Sequence, residues 1–236
     1  LRLMPTPPLS ALLVFAKRPE PGRVKTRLTA LLTPEEAADL YAAMLRDALD
    51  AYAALGCAVR LYLAPDGQGN ASALPDGWVP DGVTVHAQHG DGLGQRMLHA
   101  FVDGFRAGHE RLVVIGTDHP TLPLAYVEMT FGLLREEPLR GVLGPTHDGC
   151  YYLLGQNDLF PRLFTDMTYS HDGVFEETLR RAAEVTAEPV VLPTWYDVDT
   201  PAELRQLCRE MDAGAPVPPR TATTLTALRE RYEDLR

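Results

Sequence analysis

The chain has 236 residues, 45% of them hydrophobic and 23% charged. That is ample apolar material for a packed core and excludes a dominantly disordered state. With 22 basic against 32 acidic residues the formal charge is −10, which argues against a general nucleic-acid binder, whose partner demands a cationic face.

Residues 1–9 read as a loose, Pro-rich start. The apolar run Leu9–Ala16 is followed at once by Lys17 and Arg18 and is far shorter than the ~20 residues that span a bilayer, so no membrane partner is expected. Within it, Ala11–Ala16 reads as a strand apolar on both faces, the pattern of parallel sheets covered by helices. Thr33-Pro34-Glu35-Glu36 supplies a cap, a proline and an acid at the positions of a helix start, predicting a helix to about Leu55 that Gly56 stops. Ala58–Ala64 and Val83–Gln88 read as two further strands separated by a surface loop, 65–82, rich in Gly, Pro, Asp and Asn.

Leu93, Met97, Phe101 and Phe105, with Leu98 and Val102, form an apolar stripe at helical spacing and are assigned to the core. Arg111–Gly116 is the fourth strand, Leu124–Arg135 a helix, and Gly141–Gly144 and Cys150–Leu154 the fifth and sixth strands. Helical segments near Leu159–Phe164 and Val174–Ala183 precede a short strand at Pro189–Leu192, and Thr200-Pro201-Ala202-Glu203 opens a helix to about Met211. Residues 212–236 read as a Pro-rich linker, Ala213–Thr221, and a charged helical tail, Leu225–Leu235, left to pack on the domain or on a partner. Strands alternating with helices over 10–211 predict one α/β domain, a doubly wound, mostly parallel sheet with helices on both faces. Cys57, Cys150 and Cys208 lie far apart without a C-x-x-C pair, so no disulfide framework or structural zinc is expected and a reducing, cytoplasmic setting is.

In such sheets ligands bind beyond the carboxyl ends of the strands. The loop after the first strand, Lys17–Arg27, carries five basic residues and one acid, Glu20. With Gly22 allowing a tight turn, Lys17, Arg23, Lys25, Thr26 and Arg27 suit a polyphosphate held by cations and backbone N–H groups. The alternative is a solvated basic surface loop. Neither Walker A nor G-x-G-x-x-G spacing is present. Lys17 and Lys25 are the only lysines in the chain, which points to a need for a compact ammonium here rather than a planar guanidinium. The third strand runs into Gln88-His89-Gly90-Asp91-Gly92-Leu93-Gly94, where glycines permit close approach of a flat ligand or simply a flexible connection. Asp118, directly after the fourth strand, is a candidate ligand for a hard cation or an acid closing the turn before Pro120. His119 is read as filling space or hydrogen-bonding. Asp197 and Asp199 alternate on one face of an extended segment. Asp199 is assigned to a metal or to the helix start at Thr200, and Asp197 is expected nearer the surface or bonded to backbone.

Taken in order, Lys-x-x-x-Pro-Gly-x-x-Lys-Thr-Arg, Gln-x-Gly-x-Gly, Gly-x-Asp-x-Pro, Asp-Gly-x-Tyr-Tyr-Leu-Leu-Gly and Asp-Val-Asp-Thr-Pro-x-Glu-Leu resemble the nucleotide-diphospho-sugar transferase superfamily, with the GT-A fold. More narrowly the chain resembles a bacterial family described as of unknown function or as glycosyltransferases. By that resemblance Gly22 and Lys25 match the phosphate loop, and Gln88, Gly90 and Gly92 the base-reading turn. Asp118 and Asp199 match the metal carboxylates, and Asp148, Gly149 and Tyr151 an acceptor-side turn. The chain departs from the nucleotidyltransferase pattern at Pro19 and Pro21, where glycines are expected, and at Cys150 and His119.

The expectation is a transferase dependent on Mg²⁺ (or Mn²⁺), with Lys25, Asp118 and Asp199 catalytic. The first choice is nucleotidyl transfer from a nucleoside triphosphate to a small phosphorylated acceptor, with glycosyl transfer from a nucleotide sugar as the alternative. A non-catalytic nucleotide-binding adaptor using the helical tail is the reading from a different class.

Overall fold

The computed structural model describes residues 8–66, 69, 72–136, 139–169, 171–186 and 189–236. Residues 1–7 of the expected loose start, and 67, 68, 70 and 71 of the expected surface loop, lie outside the described residues.

The sheet has seven strands: β1 Ser10–Ala16, β2 Ala58–Leu63, β3 Val83–Ala87, β4 Arg111–Ile115, β5 Gly141–Pro145, β6 Tyr151–Gln156 and β7 Val190–Val191. Their order is β3-β2-β1-β4-β6-β5-β7. All pairings are parallel except those of β6, which runs antiparallel between β4 and β5. The helices are α1 Pro34–Ala53, α2 Leu93–Arg106, α3 Leu124–Glu136, α4 Val174–Val185, α5 Pro201–Asp212 and α6 Pro219–Arg231. No helix among the described residues is long and apolar enough to cross a membrane.

The double-sided apolarity of β1 is explained by its central place. Leu12 and Val14 face Leu45, Leu49 and Tyr52 of α1 and Val127, Phe131 and Leu134 of α3. Ala11 and Leu13, pointing the other way, face Met97 and Phe101 of α2 and Ala182 of α4. Each such fully buried leucine or phenylalanine contributes about 1.5–3 kcal/mol, so β1 cannot slip by one residue without exchanging its two apolar sets.

A third apolar cluster lies on the outer side of α1. It joins Leu28 and Leu32, just after the basic loop, to Leu40 and Met44 of α1, Tyr196 and Val198, Leu204 and Leu207 of α5, and Leu225 and Leu228 of α6. The C-terminal tail therefore packs on the body of the protein. Its helix also begins earlier than the sequence suggests, because Pro219 occupies the first turn, where its missing N–H is no loss. Asp47 of α1 meets that start, its Oδ2 accepting from Thr221 N at 2.8 Å and Thr221 Oγ1 at 2.9 Å.

Both Thr-Pro-x-Glu signatures form capping boxes. Thr33 N donates to Glu36 Oε2 at 2.8 Å, and Thr200 N to Glu203 Oε2 at 2.6 Å. Ahead of β1, Leu9 O accepts from Glu110 N and Arg111 N at 2.7 and 3.0 Å, and Pro8 O lies 2.6 Å from His109 Nδ1. A 3-10 turn, Thr26–Ala30, follows the basic loop where the sequence shows no pattern, and the helical segment expected near Leu159–Phe164 is a single 3-10 turn, Pro161–Leu163.

From β1 the chain winds outward through β2 and β3, then returns to place β4 on the other side of β1. The gap between β1 and β4 is thus a topological switch point, where α/β sheets open a crevice. Because β6 is reversed, Tyr151 and Tyr152 at its start arrive at the same end of the sheet as the carboxyl ends of β1 and β4.

Candidate active site

A cavity of about 560 Å³ opens at this switch point. Phe15 and Ala16 of β1, Val114 and Ile115 of β4, and Tyr151 and Tyr152 of β6 form its floor. Five basic side chains, Lys17, Arg23, Lys25, Arg27 and Arg96, also line it, with three acids, Asp118, Asp197 and Asp199.

Two left-handed residues shape the basic loop. Gly22 has φ +74°, and Lys25 itself has φ 47°, ψ 38°, a conformation that costs a non-glycine residue roughly 1–2 kcal/mol. Leu28 N donates to Lys25 O at 2.9 Å to begin the 3-10 turn, and the buried Leu28 anchors that turn in the third cluster. The curl turns Lys25 inward until its side chain is 3% exposed. Its Nζ donates to Asp199 Oδ1 at 2.8 Å, pairs with the Asp118 carboxylate and lies 5.8 Å from the centre of the Tyr41 ring. Burial disfavours the charged ammonium, yet the two carboxylates outweigh it and hold Lys25 above the usual lysine range. Burial also works to raise Asp118, but the Lys25 ammonium holds that carboxyl below the ordinary aspartate range.

The two acid-bearing segments are joined directly, Val198 N donating to Asp118 O at 2.8 Å. Asp197 and Asp199 both line the cavity, as their alternation predicts, but their depths are the reverse of the expectation. Asp197 is 27% exposed and Asp199 39%. The buried neighbours Tyr196 and Val198 draw the segment inward before it turns out to the α5 cap. Asp197 faces the His119 ring, Oδ1 to Nδ1 3.5 Å. Its carboxyl is raised by burial, an effect that His119 opposes and Asp118 and Asp199 reinforce.

Of the other sequence candidates, Lys17, Arg23, Thr26, Arg27, Gln88 and Tyr151 line the cavity with Lys25. The carboxamide of Gln88 is tied down, Nε2 donating to Tyr62 O at 3.0 Å. Gly22, Gly90 and Gly92 are not in the lining. Gly90, at φ +123°, lies where a Cβ would meet Gln95 Cβ at 2.7 Å, so the turn into α2 is a close one. Asp148 and Gly149, assigned by resemblance to an acceptor-side turn, are not in this lining and form a turn beside it. Asp148 Oδ1 accepts from Thr146 Oγ1 at 2.6 Å and Cys150 N at 3.1 Å, and Gly149 O accepts from Phe175 N at 2.8 Å. Arg96 and Tyr41 were not singled out from the sequence. Arg96, in the first turn of α2, is held by Gly90 O through its Nε at 3.1 Å, and the Tyr41 hydroxyl accepts from Lys17 N at 3.0 Å.

Among the described residues no group of three or more His, Cys, Asp or Glu side chains could hold a metal ion. Two half-exposed carboxylates that both reach one ammonium nitrogen can nonetheless share one small cation. Mg²⁺, which takes one or two protein carboxylates and completes its shell with water and phosphate oxygens, fits that donor set, provided Lys25 withdraws from between them.

Among curated proteins none matches the chain. Among solved structures, it resembles a Desulfovibrio desulfuricans G20 protein named "putative nucleotide-diphospho-sugar transferase" at 33% identity, with 86% of this chain and 87% of that chain covered and a TM-score of 0.75. Two more distant structures share the fold. One is a cytidylyltransferase from Leptospira borgpetersenii serovar Hardjo-bovis (strain JB197), 11% identical, covering 96% of each chain with a TM-score of 0.55. The other is a CMP:2-keto-3-deoxy-manno-octonic acid synthetase complexed with CTP, 12% identical, covering 87% of this chain and 99% of that one with a TM-score of 0.52. The sheet is therefore of the nucleotide-diphospho-sugar transferase, GT-A-like kind. Residues 42–171, which include Asp118 but not Lys25 or Asp199, match one described family, and the chain belongs to it: DUF2064, an uncharacterized protein conserved in bacteria.

Proposed function

We propose that the chain is a Mg²⁺-dependent transferase acting on a nucleoside polyphosphate, its reaction being nucleotidyl transfer from a nucleoside triphosphate to a small phosphorylated acceptor. The observation that carries this reading is the charge of the cavity. In a chain of net charge −10, basic side chains outnumber acidic ones in the lining, and two carboxylates converge on the Lys25 ammonium.

Lys17, Arg23, Arg27 and Arg96 bind the phosphate oxygens, while Phe15, Leu93 and Met97 give the base an apolar wall. Asp118 and Asp199 would hold the cation, which supplies charge neutralisation across the phosphates. Lys25, displaced toward the phosphates, offsets charge developing on the leaving pyrophosphate. In-line transfer needs positioning and electrostatic stabilisation more than a nucleophile, so Cys150, raised to about 11 by burial first and by Asp148 and Asp197 next, has no covalent part.

One observation favours a second reading. The name carried by the Desulfovibrio relative points to a nucleotide sugar as donor and glycosyl transfer as reaction. Parallel incubations with each nucleoside triphosphate and with nucleotide-diphospho-sugars, each with Mg²⁺ and a pool of phosphorylated metabolites and with mass detection of products, separate the two. New nucleotide conjugates with pyrophosphate support the first reading. Free nucleoside diphosphate from nucleotide sugars, with no conjugate, replaces it by the second, and neither product overturns both.

A further inference from the structure

We propose that Lys25 is the resident counter-ion of the metal site, its ammonium holding the place between Asp118 and Asp199 in the free protein. A divalent cation then enters only together with a nucleoside polyphosphate, whose phosphates draw the lysine out. The inference rests on the transferase reading and adds to it the order in which that site fills. Asp118 and Asp199 are both partly open to solvent, but the point where they converge is taken. There the buried Lys25 side chain donates through Nζ to Asp199 Oδ1 at 2.8 Å and pairs with the Asp118 carboxylate. An ammonium is a compact point charge with three donors, which suits a place between carboxylates that a small cation could also fill; a guanidinium is planar and wider.

The backbone fixes where this lysine starts from. Its left-handed conformation and the Leu28 N to Lys25 O bond, anchored by the buried Leu28, leave withdrawal to the flexible side chain alone. Arg27, whose Nη1 lies 3.9 Å from Asp199 Oδ2, is exposed and can turn into solvent at little cost. The buried Lys25 must instead exchange partners to move. A divalent ion arriving alone must either crowd against the ammonium, like charge against like, or expel it from two carboxylates. Among the described residues lining the cavity the one further acid is Asp197, which already faces His119. Phosphate oxygens reverse the balance, because in one event they give the ammonium new acceptors and complete the oxygen shell of the ion.

The test follows metal binding rather than turnover. Mn²⁺ is titrated into the full chain without nucleotide, and the free ion is read by EPR. Lys25→Met removes the charge, so it should bind Mn²⁺ at least about tenfold tighter than wild type, the modest end of what deleting one like charge beside a half-exposed pair implies. Adding Asp118→Asn to Lys25→Met should remove most of that gain. Wild type that binds Mn²⁺ as tightly as Lys25→Met, or a gain that Asp118→Asn leaves undiminished, overturns the proposal. A second arm uses protein labelled with ¹³C at lysine Cε, which gives two side-chain signals because the chain has two lysines; Lys17→Arg leaves that of Lys25. Mg²⁺ alone should leave the Lys25 signal in place, and Mg²⁺ with a bound α,β-methylene analogue of a nucleoside triphosphate should shift it. An equal shift with Mg²⁺ alone, or none with both bound, overturns the proposal even if Lys25→Met fails to fold. If no analogue of any nucleoside triphosphate binds while the Lys25→Met gain is present, the transferase reading falls and Lys25 remains the counter-ion.

Discussion

Replacing Lys25 by methionine keeps most of the stem and deletes the charge on which two carboxylates converge. Breaking a fully buried ion pair costs ~3–5 kcal/mol, while exposed pairs contribute ~0–1 kcal/mol. Lys25 is 3% exposed but Asp118 and Asp199 are 40% and 39% exposed, so solvent screens their repulsion and the expected loss is about 1–2 kcal/mol at low salt. Urea denaturation at neutral pH should show it, and ~1 M salt, where the screening length is ~3 Å, should shrink it. The pH dependence has a definite sign. The folded carboxyl of Asp118 lies below its unfolded value because of Lys25, so that stabilisation is full above the unfolded carboxylate pKa and is lost as pH falls through the folded one. The gap between wild type and Lys25→Met should therefore close on acidification, and Asp118→Asn added to Lys25→Met should restore part of the loss. A gap that ignores salt, or widens toward acid, would refute the reasoning.

Other variants address the site and its supports. Asp118→Asn should reduce turnover by more than ~100-fold if this carboxylate holds the catalytic cation, and nucleotide affinity that is unchanged in excess chelator would remove the metal from the account. Lys25→Arg keeps the charge and should keep nucleotide affinity, but lower single-turnover rates by ~10- to 100-fold through misplaced electrostatics; wild-type rates would return the lysines to chance. Asp47→Ala leaves the buried Thr221 N–H and hydroxyl without their acceptor and should cost about 2–3 kcal/mol in chemical denaturation, with Asp47→Asn milder. Gly149→Ala puts a Cβ 1.9 Å from Asp172 O at φ +83° and should destabilise by about 2–4 kcal/mol, seen as a lowered Tm. A Tm within a degree of wild type would mean that the 171–173 segment yields.

Much of the fold was legible because its signals are local. The apolar run in β1 needs covering on both faces wherever it lies, and each Thr-Pro-x-Glu start closes its hydrogen bonds within four residues. The direction of β6 was not legible, since period-two patterning is the same in parallel and antiparallel strands. The start of α6 was hidden because Pro219 reads equally as a breaker and as a first-turn residue, and the choice is made by Asp47, far away in sequence. In the site, the basic loop and both metal-candidate acids stood out through charge and position after strands. The pairing of His119 with Asp197 did not, because 78 residues separate them and only the turn of the chain beyond β4 brings them face to face. The depth of Asp197 also depended on where Tyr196 and Val198 found their apolar neighbours.

The bond from Lys25 to Asp199 spans 174 residues, and this has a consequence for biosynthesis. A ribosome emits the chain from the amino end at ~5–20 residues per second, so β1, its basic loop and Asp118 all leave the exit tunnel well before Asp199. During that interval the lysine has one of its two carboxylate partners, and Leu28 and Leu32 lack the α5 and α6 faces of their cluster. The nascent protein can form most of its sheet, yet the site cannot close until Asp199 is outside. Arrest between Asp118 and Asp199 then leaves Lys25 with one of its two carboxylate partners.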